Sequence, residues 1–133
     1  MRSFRLEIVS PEGVKFSGEA ERLLVRTSDG DVEILAGHTD LFATLGIGRV
    51  KLTAGSEARY GSVSGGFLSV SKGAVTLAAV SFEFADEIDT ARAERSKDRA
   101  ELAIREATDD RALERAKARL ARAINRIHVS GLK

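Results

Sequence analysis

The sequence predicts a β + α protein, with an N-terminal antiparallel β-sandwich or barrel followed by a C-terminal antiparallel hairpin of two helices. Residues 1–85 contain eleven of the twelve glycines and the only proline, and short alternating apolar segments recur there between turn residues. Residues 86–133 contain ten alanines, 22 charged residues and one glycine, Gly131. Because glycine interrupts sheets while alanine and arginine favour helices, we predict two domains, 1–85 and 86–133.

The first domain has the pattern of consecutive β-hairpins. The segment FRLEIVS alternates, so Phe4, Leu6 and Ile8 share one face of the first strand. Later strand-like segments are separated by pairs of residues suited to tight turns. These pairs are Asp29-Gly30, Gly55-Ser56 and Lys72-Gly73.

The first helix is expected to begin after Asp86 as its N-cap and to end near Ala107, with Asp89 as an acidic residue in its first turn. Its inward stripe consists mainly of small side chains. They are Ala93, Ala100, Ala103, Ile104 and Ala107. Small side chains bury little apolar area, at about 0.8 kcal/mol per methylene, so we expect a hairpin that is weakly held.

The second helix is expected from about Arg111 to His128, with Thr108 or Asp109 as its N-cap. Its apolar positions follow a helical period and form one stripe. They are Leu113, Ala116, Leu120, Ile124 and Ile127.

Charged residues also recur at helical spacing. Asp89, Arg92 and Arg99 share one face of the first helix, and one face of the second carries Arg115, Arg119, Arg122 and Arg126. An antiparallel hairpin would bring the two sets together. Spacing alone leaves two interpretations open, namely a solvated face with ordinary salt bridges, which is the commoner case, and a site that binds a polyphosphate through guanidinium groups.

Several other classes of protein are excluded or disfavoured. A net charge of +1 disfavours nucleic-acid binding, and the lack of cysteine excludes disulfides and thiolate metal sites. The start of the chain has no apolar signal segment, which favours a mature cytoplasmic protein. No phosphate-binding loop is present, and His38 and His128 lie far apart in sequence. We therefore predict neither an enzyme nor a metal site.

Two segments carry a family resemblance. EILAGHTDLFATLGIGRVKL at 33–52 and VSGGFLSV at 63–70 resemble segments of the epsilon subunit of bacterial F-type ATP synthases, and the likeness covers essentially the whole chain. It implies a sandwich of about ten strands, then two helices, in a non-catalytic subunit. It also implies a place in the central stalk of a proton-translocating complex, peripheral to the cytoplasmic face of the bacterial plasma membrane.

The same resemblance implies partners and a regulatory role. The partners would be the gamma subunit, the c-ring and, when the hairpin extends, the alpha/beta catalytic head, whose ATP hydrolysis it would inhibit. Asp31 and His38 lie in the turn and loop that we expect to contact the c-ring or gamma. Membrane association would come only through the complex.

The segment IDTARA, from Ile88 to Ala93, resembles the [IL]DxxRA motif with which some family members bind ATP. The resemblance implies that the base and ribose lie near Glu83, Ile88, Asp89 and Ala93. It implies that the phosphates face Arg92, Arg99, Arg122 and Arg126. ATP would be a regulatory ligand that holds the hairpin folded, and its magnesium dependence is left open.

Two alternatives remain from the sequence. One is a purely structural stalk subunit with a permanently folded hairpin, whose arginines form salt bridges and which has no physiological nucleotide binding. The other is an unrelated sandwich-plus-hairpin module that binds an acidic protein.

Overall fold

A computed structural model describes residues 2–132. The chain forms two compact units, one ending at Phe84 and the other beginning at Ala85. In the described residues, the first unit contains seven strands and the second a 3₁₀ helix and two α-helices. The elements are β1 (Phe4–Ser10), β2 (Gly13–Ala20), β3 (Arg22–Thr27), β4 (Gly30–Leu35), β5 (Leu41–Ala54), β6 (Glu57–Ser71), β7 (Ala74–Phe84), the 3₁₀ helix Ala85–Glu87, α1 (Thr90–Glu106) and α2 (Asp110–Ser130).

All three predicted turns are present, and two of them lie at the predicted pairs; the first is Ser28-Asp29 instead of Asp29-Gly30, because Gly30 already pairs with Thr27 as the first residue of β4. The turns connect β3 to β4, β5 to β6 and β6 to β7, and all three pairs of strands are antiparallel. Lys72 and Gly73 both have positive φ, 51° and 81°, which is the backbone of the preferred two-residue hairpin turn. One described pair departs from the antiparallel prediction, because β1 runs parallel to β7 with Arg5 opposite Ala74. No turn joins these two strands, so nothing local fixes their relative direction.

The strands follow the order β2-β1-β7-β6-β5-β3-β4. The strands β5, β6 and β7 are 14, 15 and 11 residues long, and each runs through two layers. Their parts at 41–44, 66–71 and 74–78 continue the layer of β1 and β2, and their other parts continue the layer of β3 and β4. Each layer therefore has five segments, so the seven strands supply the ten segments of the predicted sandwich.

The hydrophobic core lies between these layers. The predicted inward face of β1 is confirmed, because Phe4, Leu6 and Ile8 are buried. They join one cluster with residues from both layers, among them Leu23, Val25, Leu52, Leu68, Leu77 and Phe82. Alternation along each strand turns one set of side chains into this core and leaves the other set outside.

The start of the first helix differs from the prediction. Asp86 lies in the 3₁₀ helix, and Asp89 is the N-cap of α1. The backbone N–H of Ile88 donates to the carbonyl of Ala85 at 3.3 Å, so one tight turn precedes the α-helix. Asp109 is confirmed as the N-cap of α2, where its carboxylate accepts a hydrogen bond of 2.8 Å from the N–H of Ala112.

The second helix begins at Asp110 and ends at Ser130, slightly longer at both ends than predicted. Neither α1 nor α2 combines the length and the apolar character that crossing a bilayer requires.

Candidate functional site

The entry to the helical hairpin carries three of the predicted ligand residues. Ile88 is buried, with 9% of its surface exposed. Asp89 caps α1, and its Oδ1 accepts a hydrogen bond of 3.0 Å from the backbone N–H of Arg92. The side chain of Arg92 itself is exposed. The cap therefore fixes the backbone of this first turn and leaves the guanidinium free to reach a ligand.

The two helices pack through alanines spaced by seven residues. On α1 the buried residues are Ala93 and Ala100, and on α2 they include Ala116 and Ala123. The predicted stripe on α2 was wrong at Ile124, which is 48% exposed, and it omitted Ala123. Alanine has little side chain to separate two backbones, so these positions let the helices approach closely.

The alanines also fix the register of the hairpin. The connection of residues 107–109 is short, so α1 and α2 are antiparallel neighbours. Ala100 and Ala116 are each eight residues from Thr108, at the centre of the connection, and Ala93 and Ala123 are each fifteen residues from it. Buried alanines of the two helices therefore lie opposite each other at two levels, about 10 Å apart.

This packing puts arginines from both helices on one side of the hairpin. Arg92 and Arg99 directly precede the buried alanines of α1, as Arg115 and Arg122 directly precede those of α2. Two antiparallel helices packed in this way are related by an approximate twofold axis perpendicular to the plane of the hairpin. Because that rotation does not exchange the two sides, all four arginines lie on the same side.

Two further arginines join them. Arg119 and Arg126 follow Arg115 and Arg122 by four residues and therefore share their helix face. We call the side formed by these residues the arginine side. Its members are Arg92, Arg99, Arg115, Arg119, Arg122 and Arg126.

The arginines form two groups of the same construction. Arg92 is sixteen residues before Thr108, while Arg122 and Arg126 are fourteen and eighteen residues after Thr108. Along the hairpin axis, Arg92 therefore lies between Arg122 and Arg126. Each of these neighbours is offset by about 3 Å along the axis. We call this group of three the outer cluster.

The second group is nearer the connection. Arg99 is nine residues before Thr108, and Arg115 and Arg119 are seven and eleven residues after it. We call these three residues the inner cluster. The grouping of Arg99 with Arg122 and Arg126 stays a prediction, and from the equal distances to the connection we infer instead a position for Arg99 between Arg115 and Arg119. A ligand that meets all four predicted arginines must therefore span about 10 Å.

Two carboxylates of α1 lie away from this side. Glu94 and Glu101 directly follow the buried alanines of α1, which puts them on the opposite side of the hairpin. Among the described residues 2–132, no ion pair involves five of the six arginines, namely Arg92, Arg99, Arg115, Arg119 and Arg122. Arg126 is not included in this statement. Arg99 donates to Ser96 Oγ at 3.2 Å. The interpretation that these arginines form ordinary salt bridges is therefore not supported at these five positions.

The remaining predicted ligand residue, Glu83, lies outside the hairpin. It belongs to β7 of the sandwich, opposite Ser62 of β6, and its side chain is half-buried.

The predicted contact residues Asp31 and His38 lie near opposite ends of the edge strand β4. Asp31 accepts a hydrogen bond of 2.7 Å from Arg26 Nε, and His38 Nδ1 lies 2.7 Å from the carbonyl oxygen of Thr39. The structure leaves the carboxylate about half exposed and His38 half-buried. It does not bring the two side chains together in one cluster.

The chemistry available to the arginine side is binding of anions. Guanidinium groups donate paired hydrogen bonds to phosphate and keep their charge at any physiological pH. Within residues 2–132 no group of three or more His, Asp or Glu side chains could hold a metal ion.

Comparisons with known proteins give the family. The beta-sandwich domain of the ATP synthase Delta/Epsilon chain matches residues 3–85, and the long alpha-helix domain of the same chain matches residues 86–131. The ATP synthase epsilon chain of Bacillus velezensis is 39% identical, over 98% of this chain and 99% of the relative. That of Ruminococcus albus is 38% identical over the full length of both chains.

Solved structures show the same fold. A chain of the Euglena gracilis mitochondrial ATP synthase, in a structure of OSCP, F1 and the c-ring, has a TM-score of 0.82 at 19% identity, over 98% of this chain and 82% of that one. A chain of the Tetrahymena thermophila mitochondrial ATP synthase central stalk and c-ring has a TM-score of 0.72 at 13% identity, over 97% of both. The chain therefore belongs to the epsilon chains of F-type ATP synthases, as a non-catalytic subunit.

Proposed function

We propose that this protein is a regulatory subunit of the central stalk, joining the gamma subunit to the c-ring of a proton-translocating ATP synthase. Its place would be peripheral, at the cytoplasmic face of a bacterial plasma membrane, held there through the complex. The sandwich at 1–85 would be the docking domain and the hairpin at 86–133 the regulatory one. The family membership and the stalk structures of similar fold support this assignment.

The regulation we propose is a hairpin with two states. Folded, it binds ATP; extended, it reaches the alpha/beta head and inhibits ATP hydrolysis. A ligand shifts such a balance only by its differential affinity for the two states. Arg92 of α1 and Arg122 of α2 lie about 3 Å apart along the hairpin axis only while the two helices are packed together, so extension divides the site and ATP favours the folded form.

One observation carries this proposal, namely that folding collects arginines of both helices on one side, and that among the described residues no ion pair involves Arg92, Arg99, Arg115, Arg119 or Arg122. The ligand residues would be Arg92, Arg99, Arg122 and Arg126 for the phosphates, with Glu83, Ile88, Asp89 and Ala93 near the base and ribose. Asp31 and His38 would contact the c-ring or gamma. Magnesium would be an accessory of the nucleotide, since no metal ligand is needed from the chain.

Calorimetric titration of ATP into the full chain tests the nucleotide site. We expect saturable binding below millimolar ATP, repeated with and without magnesium. No saturable heat at millimolar ATP contradicts the site.

The alternative function, a structural stalk subunit with a permanently folded hairpin, is favoured by the continuous alanine packing. Hydrogen exchange separates the two. The two-state proposal requires ATP to slow the exchange of amides in α1 and α2, whereas a permanently folded hairpin exchanges at the same rate with or without ATP.

A further inference from the structure

The inner cluster has the same spacing as the outer cluster. In each, one arginine of α1 lies between two arginines of α2, beside an opposed pair of buried alanines. The three inner residues Arg99, Arg115 and Arg119 are exposed. The nucleotide site accounts for Arg99 alone, and it leaves Arg115 and Arg119 without a role.

The like charges of Arg99, Arg115 and Arg119 repel one another, which is unfavourable without counter-charge. Among the described residues, no ion pair involves Arg99, Arg115 or Arg119, and Glu94 and Glu101 lie on the opposite side. A bound anion would supply that counter-charge. Because the two clusters are about 10 Å apart on a straight hairpin, an anion that serves both must be linear and charged along its length.

We propose that the inner and outer clusters form a continuous binding track for a linear phosphate chain, with inorganic polyphosphate as the ligand class. Each cluster holds one stretch of the chain through paired guanidinium hydrogen bonds. Binding at one cluster raises the effective concentration of the chain at the other. Long chains therefore bind more tightly than tripolyphosphate, which reaches Arg99 from the outer cluster but leaves Arg115 and Arg119 without a phosphate. The track does not depend on the nucleotide proposal, although the two ligands compete for the outer cluster.

The test uses the full chain with Arg115 and Arg119 both replaced by Gln. Glutamine keeps a high helix propensity and removes two charges. The matched control replaces Arg105 and Lys117 by Gln, because these exposed cations lie on the opposite side of the hairpin from the arginine side. The probes are inorganic polyphosphate of several tens of phosphates, tripolyphosphate, ATP, and a thymidine oligonucleotide of matched charge.

We expect the unmodified chain to bind long polyphosphate at least about tenfold more tightly than tripolyphosphate at low salt, because both clusters contribute. The Arg115→Gln/Arg119→Gln variant loses this gain, and the slope of log affinity against log salt falls by about 2. The control variant keeps the gain, and ATP affinity stays within about twofold in both variants.

Three results would overturn the track. They are equal affinity for long and short phosphate chains, an equal loss of affinity in the control variant, and equally tight binding of the oligonucleotide. ATP binding is measured on the same samples. A chain that binds polyphosphate but not ATP refutes the nucleotide site alone, and one that binds ATP but shows no length dependence refutes the track alone.

Discussion

Asp89 Oδ1 accepts a hydrogen bond of 3.0 Å from the backbone N–H of Arg92. The carboxylate of the proposed nucleotide motif is therefore the N-cap of the helix that carries the motif's arginine. A capping residue satisfies a backbone donor that the helix itself leaves unpaired. Loss of ATP binding after removal of Asp89 would thus have two causes, a lost ligand contact and a frayed helix, and a pair of variants separates them.

Asp89→Ala should destabilise the start of α1 by about 1 kcal/mol, because alanine cannot accept the capping hydrogen bond. Asp89→Asn should leave the helix intact, since asparagine caps nearly as well as aspartate. If the carboxylate contacts the ribose or base, the Asn variant still loses ATP affinity. Hydrogen exchange of the α1 amides reports the cap and calorimetry reports the ligand. An Asn variant with full ATP affinity would restrict Asp89 to capping.

The cap shows what the sequence could and could not supply at the helix start. Two aspartates, Asp86 and Asp89, both precede the helical pattern, and propensity does not choose between them. The choice depends on a 3₁₀ turn at Ala85–Glu87, set where the chain leaves β7. The turn before α2 left a similar choice between Thr108 and Asp109, and the structure decides it for Asp109, whose carboxylate accepts a hydrogen bond from the N–H of Ala112.

Ala93→Leu tests the alanine packing. Ala93 is fully buried, so three added carbons should force the helices apart and destabilise the hairpin by about 1–3 kcal/mol. Ala91→Leu is the matched control, because Ala91 is an exposed residue of the same helix turn. Exchange of amides in α2 should accelerate in the first variant alone, while amides of the strand Arg22–Thr27 stay protected.

The same substitution should weaken ATP binding, since the outer cluster exists only while the helices touch. If Ala93→Leu leaves both the exchange of α2 and the ATP affinity unchanged, then Ala93 is not at the interface that brings the arginines together. The sequence pointed to Ala93 but not to Ala123, because alanine is a weak marker of burial and larger side chains at Leu120 and Ile124 dominated the pattern.

The pairing of Arg92 with Arg122 is tested by a double-mutant cycle. Arg92→Gln and Arg122→Gln should each lower ATP affinity by about tenfold, as expected for a charged hydrogen bond to phosphate. If both residues bind one triphosphate, the double variant departs from the sum of the single effects. Arg105→Gln is the control and should bind ATP normally, because Arg105 is an exposed arginine on the other side of α1. Strict additivity would place the two arginines on separate anions.

Sequence spacing could show that each helix has an arginine face, but not which arginines meet. That depends on the register between α1 and α2, and a shift of one heptad would pair Arg99 with Arg122 instead. The register follows from the length of the connection at 107–109 and from the opposed alanines. Both are properties of the folded hairpin, so the neighbours of Arg99 on α2 can be inferred from the structure but not from the spacing within each helix.

The two-layer path of β6 rests on the glycine pair in VSGGF. Gly65 and Gly66 have φ of 68° and 110°, and they lie where β6 passes from one layer to the other. A Cβ on Gly66 would overlap the carbonyl oxygen of Ala78 and come within 2.8 Å of the Cα of Ala79. Both neighbours are backbone atoms of β7, so they cannot move aside without breaking the pairing of the two strands.

Gly66→Ala should therefore destabilise the sandwich by roughly 3 kcal/mol or more, the range expected for strain at a special backbone position. Gly46→Ala is the matched control, because a Cβ there meets no atom within 4 Å and its φ is not positive. We expect its effect to stay below about 1 kcal/mol. Urea unfolding followed by circular dichroism measures both. If the two variants unfold at similar urea concentrations, then β6 does not need glycine at position 66 to pass from one layer to the other. The passage of the long strands between layers would then need another explanation.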